Sequence, residues 1–136
     1  MEREELDDLP LYIKAKDIYD TARALIETIG EEDAFHSREF LMSNASILSA
    51  KIAGAEGVDD YGIKMENAIL IRIAAREMQA HTAAMLVENM SSKEYIYLLR
   101  NEINEFRILL KEWINSFDPT ESEEWEWSIS VKGDYI

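Results

Sequence analysis

The chain has 136 residues, of which 47% are hydrophobic and 31% are charged, and its formal net charge is -14. This length fits one domain with a real core, and the composition is too apolar for a disordered chain and too charged for a membrane protein. The sequence contains no cysteine, which excludes disulfides, thiolate metal sites and a cysteine nucleophile. The acidic excess argues against nucleic-acid binding through bulk electrostatics, because phosphate contacts need Lys and Arg.

The acidic excess is concentrated at the two ends of the chain. Residues 1–8 and 118–136 are strongly acidic and are predicted to be solvated tails, while residues 9–117 form a more balanced body. The first residues lack the apolar run of a signal peptide, and no stretch approaches the roughly 18 apolar residues of a membrane span. We therefore expect a soluble, cytoplasmic protein with no membrane partner.

Four segments of the body have the apolar spacing of amphipathic helices. Apolar residues recur at alternating steps of four and three, which places them on one stripe of a helix. Pro10 suits a first helical turn, and the other proline, Pro119, follows the last segment. The predicted helices cover residues 10–29, 33–55, 60–89 and 92–117.

These helices and their short connections predict an all-α fold, an antiparallel up-down-up-down four-helix bundle. Asp33 or Ser37 is expected to cap the second helix, a turn ending at Asp60 precedes the third, and Ser91 or Ser92 is expected to cap the fourth.

The third predicted helix has a wider apolar surface than two neighbouring helices require. One set of residues shares a face and forms the predicted oligomer face: Ile63, Leu70, Ala74, Met78 and Met85, together with His81. A second set widens the apolar arc: Ile69, Ile73, Ala80, Ala84 and Val87. Such a helix is either central to its own bundle or shared with another subunit, so we expect self-association.

The segment after Pro119 differs from the body. Residues 123–131 alternate polar and apolar side chains, which is the period of a strand. The segment is either a free end or a tail that lies across the bundle or a partner subunit with Trp125 and Trp127 as anchors.

Three stretches of the body resemble the four-helix-bundle proteins encoded by intervening sequences of bacterial 23S ribosomal RNA genes. LPLYIKA at residues 9–15 is similar to the entry of that family's first helix, and MSNASILSAKIAGAEG at residues 42–57 is similar to its small-residue second helix. The third stretch is the alanine-rich helix that contains Ala68, Ala74, Ala75 and Glu77. The resemblance covers about residues 9–117.

The resemblance implies a left-handed four-helix bundle that assembles into a ring-shaped homopentamer without enzyme activity. Accessory proteins of diversity-generating retroelements resemble the same fold and bind nucleic acid through a basic surface. The corresponding alternative for this chain is a nucleic-acid-linked accessory role through a local basic patch, although the net charge makes nucleic acid a doubtful partner. The candidate patch residues are Lys14, Lys16, Arg23, Lys51 and Lys64.

A second alternative is a ribonuclease. Arg76 and His81 are spaced as in the motif of the HEPN helical ribonucleases, where Arg stabilises a phosphoryl transition state and His titrates near neutrality. Because residues five apart lie about 140° apart on a helix, the preferred interpretation is structural. Arg76 then pairs with a carboxylate, and His81 lies at the edge of the apolar stripe.

No other constellation predicts chemistry. Glu77 and His81 are spaced by four residues rather than the three of a di-iron motif, so no metal or cofactor is expected. The serines of residues 43–49 have no His–Asp arrangement near them in the sequence, and no phosphate loop is present. Arg72 lies between two isoleucines, so we expect Arg72 or Arg76 to pair with Glu102 or Glu105 of the last helix.

Overall fold

The computed structural model describes residues 3–33, 35–89, 91–122 and 124–128. Most of these residues lie in helices, and no strand occurs among them, which confirms the all-α prediction. The five helices are α1 (Arg3–Asp7), α2 (Pro10–Ile26), α3 (Ser37–Glu56), α4 (Tyr61–Glu88) and α5 (Lys93–Asn115). The four long helices correspond to the four predicted segments, and their ends differ from the predicted ends by up to four residues.

Polar side chains start three of the long helices. The carboxylate of Asp60 accepts a hydrogen bond from the backbone N–H of Ile63 at 2.9 Å at the start of α4. Ser92 accepts one from the backbone N–H of Tyr95 at 3.4 Å at the start of α5. Such bonds satisfy N–H groups that have no partner within the helix.

Asp33 supplies the corresponding bonds for α3, although this helix begins four residues later than predicted. The Asp33 carboxylate accepts hydrogen bonds from the backbone N–H groups of Ser37 at 2.7 Å and Arg38 at 2.9 Å. Burial alone would raise the pKa of Asp33, but the backbone hydrogen bonds and the Arg38 guanidinium hold it below its usual value. His36 precedes the helix with φ 52°, a left-handed conformation that turns the chain into α3.

The hydrophobic core receives one stripe of side chains from each long helix. Helices α2 and α4 each pack against both α3 and α5. The predicted stripes of the first two helices are buried completely: Leu11, Ala15, Ile18, Ala22, Leu25 and Ile29, and Leu41, Ala45, Leu48, Ile52 and Ala55. The α5 stripe is buried from Leu99 to Phe117, but Tyr95 is exposed and Ile96 takes its place in the core.

Polar contacts between helices link residues that are distant in sequence. Between α2 and α5, the Lys14 ammonium lies 2.7 Å from the Glu105 carboxylate, and the Ser92 N–H before α5 donates to the Thr28 hydroxyl just after α2 at 3.0 Å. Between α3 and α4, the Lys64 ammonium donates to the carbonyl oxygen of Ala55 at 2.8 Å. Lys64 lies near the start of α4, whereas Ala55 lies near the end of α3.

Both predicted tails have more local structure than expected. Residues Arg3–Asp7 form α1, and the side chains of Leu6 and Leu9 pack against the core. At the other end, the backbone N–H of Tyr61 donates to the carbonyl oxygen of Glu121 at 2.6 Å. The strand-like alternation is wrong for residues 124–128, where the N–H of Ser128 closes a turn onto the carbonyl oxygen of Trp125 at 2.9 Å. Glu123 and residues 129–131 lie outside the described residues.

Candidate functional site

The outward surface of α4 is a continuous apolar row, which we call the outer face. Ile69, Leu70 and Ile73 retain 44 to 47% of their exposure, and Val87 retains 82%. Small exposed residues complete the row: Ala80, Ala83 and Ala84. With 3.6 residues per turn, Ile69, Ile73, Ala80 and Val87 lie opposite the core-facing residues of α4, and Leu70, Ala83 and Ala84 widen the row to its two sides. The outer face is therefore apolar surface that the folded chain does not cover.

The predicted oligomer face is wrong, because most of its residues do not lie on the outer surface of α4. Ala74, Met78 and Met85 are buried in the chain's own core, Ile63 is half-buried, and only Leu70 is exposed. The residues that were expected merely to widen the arc supply most of the outer face. Both sides of α4 repeat apolar residues with helical spacing, so periodicity finds the two rows without showing which one faces inward.

Charged residues flank the outer face in a segregated pattern. At 100° per residue, Arg72 and Arg76 lie on one side of the central line through Ile69, Ile73, Ala80 and Val87. Glu66, Glu77 and Glu88 lie on the other side, beside Leu70 and Ala84. All five side chains are exposed, and none of them forms an ion pair with the described part of the chain. We call these the arginine edge and the glutamate edge.

The predicted pairing of Arg72 or Arg76 with Glu102 or Glu105 is wrong. Arg72 and Arg76 point outward, whereas Glu105 binds Lys14. The arginine between α4 and α5 belongs to α5 instead. The Arg100 guanidinium donates to the carbonyl oxygen of Gln79 at 2.6 Å and to the Thr82 hydroxyl at 3.0 Å.

Glu102 lies at the bottom of an open groove of about 390 Å³ between α2 and α5. Its side chain is only 7% exposed, and one of its oxygens accepts a hydrogen bond from the Thr21 hydroxyl at 2.5 Å. Its other oxygen is buried and has no hydrogen-bond partner among the described residues. Burial raises the pKa of Glu102, and the nearby Asp17 carboxylate raises it further, while the Thr21 hydrogen bond opposes the rise.

His81 joins α4 to the start of α3. Its Nε2 atom lies 2.6 Å from the Ser37 hydroxyl, and its ring stacks on Phe40 with centroids 4.5 Å apart. Burial lowers the pKa of His81, an effect that the Asp33 charge partly opposes. The lowered pKa favours the neutral imidazole, whose Nε2 can accept a hydrogen bond from the buried Ser37 hydroxyl.

The sequence predicts Ser37 only as a helix cap and does not predict its contact with His81. Ser37 is 44 positions from His81, and no local pattern links the two. Asp33 completes an apparent Ser–His–Asp set, but its carboxylate accepts from backbone N–H groups of α3. In a nucleophilic triad the carboxylate would instead orient the imidazole. The arrangement thus ties two helices together.

The structure does not bring Arg76 and His81 into one site. His81 faces α3 and is half-buried, whereas Arg76 lies exposed on the arginine edge of α4. The two side chains leave the helix in different directions, as their spacing predicts. The ribonuclease motif therefore has no shared cleft within one chain.

The candidate basic patch is partly occupied by contacts within the chain. Lys14 pairs with Glu105, which raises the pKa of Lys14, and Lys64 donates to the end of α3. The Lys16 ammonium lies over the Tyr12 ring at 5.0 Å. Arg23 is exposed on α2. Lys51 is half-buried on α3, so these residues do not form one free basic surface.

Of the two predicted tail anchors, Trp125 lies against the body. With Val58, Asp59, Asp60 and Ile63, it lines a hollow of about 350 Å³ beside the start of α4. Trp127 is 72% exposed.

Neither a metal-binding group among the described residues nor a match to a known protein assigns an activity to the chain. Within the described ranges, no group of three or more His, Asp or Glu side chains is placed to hold a metal ion. No helix among the described residues is long and apolar enough to cross a membrane. No protein-family model, curated protein or solved structure matches the chain. The resemblance to the intervening-sequence proteins therefore stays a prediction.

Proposed function

We propose that this chain is a non-enzymatic structural protein that associates with copies of itself through the outer face of α4. The observation that carries the proposal is the exposure of Ile69, Leu70 and Ile73 as neighbours on one helix, although a complete core already covers the opposite side of that helix. Contiguous apolar surface of this kind is typical of protein–protein contacts. Association would remove it from water at a gain of about 25 cal/mol per Å².

The proposed architecture of each copy is the antiparallel, up-down-up-down, left-handed four-helix bundle. The contacts between α2 and α5 support opposite directions, because Lys14 near the start of α2 meets Glu105 just past the middle of α5. Thr28, just beyond the end of α2, meets Ser92 before α5 begins. The steps of four and three in the buried stripes average 3.5 residues, which favours a left-handed supercoil.

The number of copies is part of the proposal. The resemblance to the intervening-sequence proteins favours a ring of five, and the outer face supports assembly without fixing its size. The mass of the assembly in solution therefore tests both the association and the expected pentamer.

The test is an Ile73→Asp substitution studied by size-exclusion chromatography with light scattering. Ile73 lies near the middle of the outer face, so a carboxylate there would be buried unpaired in any contact that covers the row. We expect the wild-type chain to be oligomeric at micromolar concentration and the Ile73→Asp chain to be monomeric. The helix content from circular dichroism should remain unchanged, because residue 73 is outside the core.

Ile108→Asp is the matched control. Ile108 is 53% exposed on α5 and has the same side chain as Ile73, but it is not part of the outer face. The proposal predicts that this variant keeps the wild-type mass. A monomeric wild type, or equal loss of association in the two variants, would refute it.

A further inference from the structure

The two charged edges of α4 differ in sign, and this difference carries information about how copies meet. Arg72 and Arg76 lie on one side of the central line of the apolar row, and Glu66, Glu77 and Glu88 lie on the other side of that line. All five are solvent-exposed and make no ion pair with the described residues. On a helix that served only the isolated chain, nothing would require this segregation.

Relative direction decides which edges come together. A second copy related by rotation about an axis along α4 runs in the same direction and brings its glutamate edge beside the arginine edge of the first. A copy related by rotation about an axis across α4 runs in the opposite direction, so arginine meets arginine and glutamate meets glutamate. Like charges at a contact oppose association, whereas opposite charges at its rim select partner and direction.

We infer that the α4 helices of neighbouring copies pack side by side in the same direction, with the arginine edge of one helix against the glutamate edge of the next. This inference rests on the proposed self-association and names its geometry. The partner is a second copy of this chain, chosen by the complementarity of the two edges.

Heptad spacing identifies the pair that meets. In parallel helices, a residue that flanks the apolar seam faces the residue five positions further along the partner. Arg72 therefore faces Glu77 of the neighbouring copy. The same arrangement sets Ile69 against Ile69 and Ala83 against Ala83 of the neighbouring copy, because these two residues are two heptads apart and occupy the same position in the contact. Cyclic assemblies of two or of five copies both allow this contact.

The first test exchanges the two charges. Arg72→Glu and Glu77→Arg alone each replace an attraction by a repulsion at every contact, so each should raise the dissociation constant measured by sedimentation about tenfold. The double variant Arg72→Glu/Glu77→Arg recreates the pair with the signs reversed and should recover nearly the wild-type constant. Arg107→Glu, an exposed arginine on α5, is the control and should leave the constant unchanged.

The second test uses the absence of native cysteine from the sequence. Single variants Ile69→Cys and Ala83→Cys lie toward opposite ends of the outer face, with 14 residues or about 21 Å of helix between them. In a parallel contact, each variant should cross-link to its own kind with a short thiol reagent, whereas Ile108→Cys should not. In an antiparallel contact, only a mixture of the two variants would cross-link.

The outcomes separate the inference from the proposed function. A monomeric wild type refutes the self-association and the inference together. An oligomer that cross-links only in the mixture, or in which the charge-exchanged double variant stays as weak as the single variants, refutes the parallel contact and leaves the self-association intact. Self-cross-linking of both variants together with recovery in the double variant supports the inference.

Discussion

Single residues show how burial sets the chemistry of groups that look reactive in the sequence. His81 belongs to an Arg–His spacing that is typical of a ribonuclease, yet its ring contacts Phe40 and the Ser37 hydroxyl. Burial favours the neutral imidazole, and the hydroxyl gives that neutral ring a hydrogen-bond donor. The residue therefore links α3 to α4, and protonation of its ring is expected to change the free energy of unfolding.

The pKa of His81 gives a prediction for the pH dependence of stability. The pKa of His81 in the folded state lies below the ordinary histidine value of 6.5, so the stability from the neutral ring is present above pH 6.5 and is lost as pH falls through the folded-state pKa. We expect the free energy of unfolding, measured by urea titration, to decrease over this range in the wild type. His81→Gln should be less pH-dependent, because Gln can accept the Ser37 hydroxyl but does not titrate.

The other histidine of the chain is the control for this measurement. His36 is exposed before α3 with a left-handed backbone, which Asn tolerates well. The His36→Asn variant should therefore keep the wild-type pH dependence. If His36→Asn removed the slope and His81→Gln retained it, the assignment to His81 would be wrong.

Among the helices, α2 and α4 show when periodicity determines orientation. Helix α2 has a single apolar stripe, and every residue of its predicted stripe is buried. Helix α4 has apolar residues on two sides, so its spacing fits two orientations of the helix. Packing against α3 and α5 selects the row with Ala74 and Met78 for the core and leaves the row with Ile73 outside.

The start of α4 provides a prediction at the scale of one helix. Asp60 accepts a hydrogen bond from the Ile63 N–H, so Asp60→Ala should lower the free energy of unfolding by about 1 kcal/mol. Asp59→Ala is the matched control, because Asp59 is the adjacent exposed carboxylate and lies outside the cap. Urea unfolding of the two variants tests this; equal losses would show that the cap hydrogen bond contributes nothing specific.

In the whole molecule, the outer face connects folding to assembly. A contact between copies stabilises the folded state by mass action, because the unfolded chain cannot form it. We therefore expect the Tm of the wild type to fall on dilution while that of Ile73→Asp stays constant. Calorimetry or fluorescence at several protein concentrations measures this, and a wild-type Tm that does not change with concentration would contradict the association.

The sequence by itself determined the all-helical class, the four long helices and most of the core. Apolar residues at alternating steps of four and three fit a helix and not a strand. Side chains such as those of Asp60 and Ser92 cap helices through hydrogen bonds within one turn. The helix ends differ from the prediction, since α2 ends at Ile26 and the predicted segment ends at residue 29. These features depend on neighbours in the sequence, so a local pattern contains them.

Only the tertiary structure decided which row of α4 is outside and which residues meet across helices. Three contacts join positions between 21 and 91 residues apart: Ser37 with His81, Arg100 with Gln79, and Lys14 with Glu105. Such pairs depend on how the helices pack around a shared core, and several arrangements of the helices would bury the same apolar stripes. The charges on the edges of α4 become informative for the same reason, because packing fixes which side of the helix faces water.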